Sequence, residues 1–121
     1  MIFSGVWVFL AHYREKWGKD LMCADECTMD DYREMKLSDY VIAFPGKPIS
    51  GGVHIELGWA SSMKKNILLM LDKEEKYSPL VQGLETLTNV QICYYKNLFD
   101  EVVIDEIHSY LSWIAKESVN I

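Results

Sequence analysis

The stretch from Ser38 to Leu71, SDYVIAFPGKPISGGVHIELGWASSMKKNILLML, reads as strand, glycine-containing loop, helix and strand. Tyr40–Phe44 (YVIAF) is a short apolar run rich in β-branched and aromatic residues, the pattern of a strand buried on both faces. Pro45, Gly46, Pro48, Gly51 and Gly52 then interrupt regular structure. From Val53 the spacing becomes helical, with Val53, Leu57 and Ala60 on one face and Lys64 at its solvent end. Asn66–Leu71 (NILLML) reads as a second buried strand. Glu56 places one carboxylate in the first turns of the helix, beside the mouth of the loop. In an open parallel sheet, ligands bind outside the carboxyl ends of the strands, where such a loop lies. The chemistry is therefore expected here.

Outward from this unit, Gly5–Leu10 (GVWVFL) is a strand candidate. Thr28 with Asp31 three residues on resembles a capping box and predicts a helix over Met29–Leu37, with Tyr32, Met35 and Leu37 facing inward. Beyond the central unit, Asp72–Ser78 is a charged loop and Pro79–Thr88 a short helix carrying Leu80, Val81 and Leu84. Val90–Tyr95 is a strand near one edge of the sheet. Phe99–Glu117 carries the clearest helical periodicity, with Val102, Val103, Ile107, Tyr110, Leu111 and Ile114 on its apolar face. Strands alternating with helices predict an α/β sandwich with a parallel sheet and right-handed crossovers.

The 121 residues leave room for one domain, 1–121, with a single core. A net charge of −6 argues against broad binding to nucleic-acid backbone or anionic membrane. A small anionic ligand stays compatible with it, because helix N-termini hold phosphate without net positive charge. No apolar run approaches the roughly 20 residues that span a bilayer. MIFSGVWVFL at the start lacks the basic region and cleavage site of a signal peptide. The three cysteines, Cys23, Cys27 and Cys93, read as reduced thiols, and the expected location is cytoplasmic. His12, His54 and His108 are scattered singly, so no cluster supplies the roughly four ligands of a structural zinc site, and no metal is expected.

At Asp31, Ser38-Asp39, Ser50-Gly51-Gly52 and Glu56-Leu57-Gly58-Trp59-Ala60 the sequence resembles the nucleoside 2-deoxyribosyltransferase superfamily, which includes the nucleoside 5′-monophosphate N-glycosidases. The resemblance covers roughly Cys27 to Gly83, and the C-terminal helix in outline. It implies a three-layer sandwich around a parallel, flavodoxin-like sheet. It further implies that the chain opens at what corresponds to the family's second strand, with the first strand and helix missing. By resemblance Glu56 is the nucleophile that traps the sugar as a covalent intermediate. Asp31 is the second carboxylate, which protonates or orients the leaving base. In a retaining reaction the two carboxyl groups lie about 5–5.5 Å apart. The plainer alternatives are a solvated Glu56 on a helix surface and an Asp31 that caps its own helix.

Ser50 stands where the monophosphate glycosidases carry a serine and the transferases an aspartate, so the resemblance favours a phosphate-bearing substrate. Ser50 with the Gly51 and Gly52 amides makes a phosphate cradle; as a bare loop or cap serine it would need no ligand. Ser78 falls where the glycosidases take a phosphate contact from a neighbouring subunit, which implies a homodimer or larger homo-oligomer. Asp39 joins the substrate-binding candidates, with the strand entry or loop amides as its expected partners, and Trp59 is expected against the base, the core or a subunit. The implied activity is hydrolysis of a nucleoside 5′-monophosphate to base and (deoxy)ribose 5-phosphate, without a cofactor. The alternatives are deoxyribosyl transfer and nucleotide binding without turnover.

Overall fold

The computed structural model describes residues 23–46 and 51–119. The expected strand Gly5–Leu10 and the candidate Ser50 lie outside the described residues. In chain order the elements are α1 (Ala24–Leu37), β1 (Tyr40–Ala43), α2 (Gly51–Ser62), β2 (Asn66–Asp72), α3 (Pro79–Gln82), a 3₁₀ turn (Gly83–Thr86), β3 (Val90–Tyr95) and α4 (Glu101–Val119). The three strands form a parallel sheet in the order β1-β2-β3. Helices cover both faces, an α/β architecture of the flavodoxin-like kind.

β2 is the axis of the core. Ile67, Leu68, Leu69, Met70 and Leu71 are all 0% exposed, which is why NILLML shows no polar alternation: each face of the strand meets a different apolar layer. Side chains alternate across the pleat. Ile67, Leu69 and Leu71 therefore pack with Leu57 and Ala60 of α2 and Val81 of α3. Leu68 and Met70 pack on the other side with Val103, Tyr110 and Ile114 of α4. There Tyr40, Tyr110 and Trp113 form an aromatic cluster, with centroids 5.5 Å apart for Tyr40–Trp113 and for Tyr110–Trp113.

Several boundaries differ from the expectations. α1 begins at Ala24, so the proposed capping pair is interior to it: the Thr28 hydroxyl donates to the Ala24 carbonyl at 2.8 Å. Asp25 and Glu26 in the first turn favour that earlier start, since negative charge stabilises a helix N-terminus. Leu37 is 73% exposed, not inward. Met35 packs on the core, and two residues at about 100° each carry Leu37 round to solvent. Gly51 and Gly52 are the first residues of α2 rather than part of the preceding loop. Lys64 stands beyond α2 with φ of 60°, while Lys65 N–H bonds the Ala60 carbonyl and Lys64 N–H the Ser61 carbonyl, a Schellman stop without glycine. The single helix expected after Pro79 is short and passes into the 3₁₀ turn at Gly83. α4 starts at Glu101 after a turn in which Asp100 accepts from Asn97 N–H, leaving Phe99 90% exposed. Val102, also expected inward, is 43% exposed on the first turn.

Candidate active site

Because the strands are parallel, their carboxyl ends share one edge, formed by residues 44–46, 73–78 and 96–100. α2 begins at Gly51 on the return from β1, so its positive end opens on this edge. Glu56 lies five residues in, about 7.5 Å along the axis at 1.5 Å per residue. It is half-buried beside the inward Leu57. His54 is two residues away, about 200° round the same helix, and so projects from a different face.

The other candidate carboxylate, Asp31, lies on α1. That helix packs against α2 through Tyr32 and Trp59, whose rings meet edge to face at 5.1 Å. Asp31 immediately precedes Tyr32 and Glu56 precedes Trp59 by one turn, so the fold brings together the two helices carrying them. The Oδ1 atom of Asp31 is buried. Trp59 itself is half-buried, with a ring partner inside the chain.

The remaining candidates divide between the two edges. Gly51 and Gly52 are exposed at the start of α2, on the carboxyl edge. Ser78 is exposed on that edge too, as the N-cap of α3, its hydroxyl oxygen accepting from Leu80 N–H at 3.2 Å. That bond uses a lone pair and leaves the Ser78 proton available to donate. Asp39 lies at the opposite, amino edge, exposed, its carbonyl accepting from Asn66 N–H at 3.1 Å where β1 and β2 begin to pair.

Sequence reading missed a polar cluster at the carboxyl edge. Asp72 closes β2, and its main-chain N–H donates to the Tyr77 hydroxyl at 2.8 Å. Tyr95 closes β3 at 3% exposure and packs on Phe44, just past β1, with centroids 6.3 Å apart. Burial pushes the Tyr95 hydroxyl above its ordinary pKa, with neighbouring Tyr77 and Asp72 adding to the effect. Burial likewise raises Tyr77, against the lowering influence of its bond from Asp72. Both stay protonated donors at neutral pH. The signal that would have found them is positional, since each lies at or just beyond the carboxyl end of a strand. Among the described residues no three His, Cys, Asp or Glu side chains converge as metal ligands. Nor, among those residues, is any helix long and apolar enough to cross a membrane.

Three parallel strands flanked by helices, with a glycine-started helix opening on their carboxyl edge, make this a flavodoxin-like α/β fold. Solved structures give the class more closely. The chain is similar to a CMP N-glycosidase, BcmB, from Clostridium botulinum, at 41% identity and a TM-score of 0.63, over 76% of this chain and 81% of that one. It is also similar to BlsM, in its solution structure, at 44% identity and a TM-score of 0.65. That likeness covers 78% of this chain but 59% of BlsM, less than two thirds of its length. The chain belongs to the nucleoside 2-deoxyribosyltransferase-like family. No family model and no curated protein matches it.

Proposed function

We propose that the chain hydrolyses the N-glycosidic bond of a nucleoside 5′-monophosphate, with Glu56 as nucleophile. The observation that carries this reading is the 41% identity to a CMP N-glycosidase over 76% of the chain. The placement of Glu56 early in α2, at the carboxyl edge of the sheet, supports it.

In the first step a Glu56 oxygen bonds to C1′ of the sugar as the C1′–N bond breaks. The bonding pair leaves with the base, which takes a proton from Asp31. In the second step water attacks C1′, passes a proton back to the Asp31 carboxylate, and frees Glu56 and the sugar 5-phosphate. Ser50 with the Gly51 and Gly52 amides cradles the phosphate, and Trp59 borders the base. Asp39 holds the start of the strand pair. Ser78 of a second copy completes the phosphate contacts in a two-fold assembly. Two exposed apolar side chains at this edge, Leu80 at 82% and Phe99 at 90%, support such an assembly, since each has surface to bury.

The test is a product assay on purified protein across ribo- and deoxyribonucleoside monophosphates and free nucleosides, with and without a second base. Free base from monophosphates alone supports the proposal. Exchange of bases on a deoxynucleoside gives the transferase, which Ser50 in place of aspartate disfavours. Binding without any product gives a nucleotide-binding protein.

A further inference from the structure

The loop that follows β2 is tied back to the strand by one side chain. Successive N–H groups along β2 face opposite neighbours. Those of Ile67 and Lys73 bond the Asn89 and Tyr95 carbonyls on the β3 side, and that of Asn66 bonds the Asp39 carbonyl on the β1 side. Asp72, an even number of residues beyond Asn66, therefore turns its N–H to the β1 side. β1 ends at Ala43, paired with Leu69, so the ladder stops short of Asp72. The Tyr77 hydroxyl takes the ladder's place, accepting from Asp72 N–H at 2.8 Å. The Tyr77 ring packs on the core layer that holds Leu71 and Val81. Asp72 tightens the turn between them, its Oδ1 accepting from Glu74 N–H at 2.9 Å and its carbonyl from Glu75 N–H at 3.2 Å. Ser78 follows directly, and its carbonyl accepts from Val81 N–H at 2.9 Å.

We propose that Tyr77 is a positioning residue for the phosphate contact: by tying the loop back to the end of β2 it fixes where Ser78 presents its hydroxyl. This rests on the functional reading above, in which Ser78 serves the phosphate in a second copy's site. The need for it is geometric. Ser78 is exposed, so its place is set by its main chain, held by Tyr77 on one side and by α3 on the other. A hydrogen bond weakens steeply as its distance and angle depart from the optimum, so a small shift of the loop lowers affinity for the phosphate. Chemistry at C1′, which Ser78 does not touch in that reading, is spared. Tyrosine suits the task because its rigid ring fills an apolar layer while the hydroxyl at its tip meets a main-chain group.

Tyr77→Phe keeps the ring and removes the acceptor for Asp72 N–H. It is expected to raise KM for the best monophosphate about fivefold and to leave kcat within about twofold. Ser78→Gly removes the hydroxyl at little cost to the cap and raises that KM about tenfold. In the double variant KM stays near that of Ser78→Gly alone, because Tyr77 acts through Ser78. Affinity for the free nucleoside, which lacks the phosphate, does not move in any of the three. Amide hydrogen exchange at Asp72 quickens in Tyr77→Phe. A parent-like KM or unchanged Asp72 exchange in Tyr77→Phe, penalties that multiply in the double variant, or an equal loss of nucleoside affinity overturn the proposal and leave hydrolysis standing. If the parent protein binds the monophosphate without turning it over, the hydrolytic reading falls and calorimetric Kd replaces KM in the same comparison. An unchanged Kd in Tyr77→Phe then overturns the role of Tyr77. A parent that neither turns over nor binds a monophosphate overturns both.

Discussion

Replacing Tyr110 by phenylalanine is expected to stabilise the protein. The Tyr110 side chain is 3% exposed, and among the described residues its buried hydroxyl has no hydrogen-bond partner. Its core neighbours are apolar, Leu68, Met70, Val103 and Ile114 with the rings of Tyr40 and Trp113, while Asn89 and Gln91 line the same small cavity. A buried polar group left unpaired costs about 1–3 kcal/mol. Phenylalanine keeps the ring and its packing, so a gain of about 1 kcal/mol is expected, with a melting temperature higher by roughly 3–5 °C for a domain of this size. The same burial pushes the hydroxyl up to about 12 from 10.0, the charge of Tyr40 adding to it. Unfolded tyrosine therefore loses its proton from about pH 10, whereas the native hydroxyl holds its own until about pH 12. In that window the native state binds more protons, so stability falls as pH rises. At about 1.36 kcal/mol per unit the parent loses roughly 2–3 kcal/mol that Tyr110→Phe does not. Urea unfolding at pH 7, 10 and 11.5 measures both effects, and the other tyrosines cancel in the difference. A destabilised Tyr110→Phe at pH 7, or a gap that does not widen above pH 10, refutes the reasoning.

Glu56→Gln should fold as the parent does and lose turnover by several orders of magnitude, since the amide is nearly isosteric and a poor nucleophile. More than about a tenth of the parent rate in a single-turnover assay removes Glu56 from the covalent role. Ser78→Asp keeps a good N-cap for α3, so thermal stability should not move. The added charge should raise KM for monophosphates at least about tenfold, and an unchanged KM takes Ser78 out of the phosphate site. At Lys64, whose φ is 60°, chemical denaturation should rank glycine above lysine and lysine above valine. Steps of about 0.5–1 kcal/mol are expected there, glycine giving up the bond from Lys64 Nζ to the Leu87 carbonyl; valine equal to glycine would contradict the left-handed assignment. Sedimentation at micromolar concentration should show a two-fold oligomer, and a monomer would remove the second copy's Ser78 from the proposal.

The sequence by itself determined the alternation of elements and the central position of NILLML. A strand covered on both faces must be apolar at every position, and such a run is readable without neighbours. Residues 90–95 were legible as a strand for a related reason, and Glu56 because it sits in a local motif, Glu-Leu-Gly behind a glycine pair. Element ends were less legible. The start of α1 at Ala24 follows from a first turn rich in acidic residues, not from the capping pattern at Thr28, which the helix absorbs. The stop of α2 at Lys64 uses a left-handed residue where glycine would have announced itself. Only the tertiary structure decided which side chains meet across elements. Tyr32 on Trp59, Tyr95 on Phe44, and Tyr40 on Tyr110 and Trp113 join residues 27 or more positions apart. Asp39 shows the same division: its place at the head of a strand was local information. That the head of β1 lies at the opposite edge from Ser78 and the start of α2 followed only when three parallel strands aligned their carboxyl ends. Local sequence carries periodicity and capping chemistry, whereas contacts between distant segments depend on register, and register is set by packing.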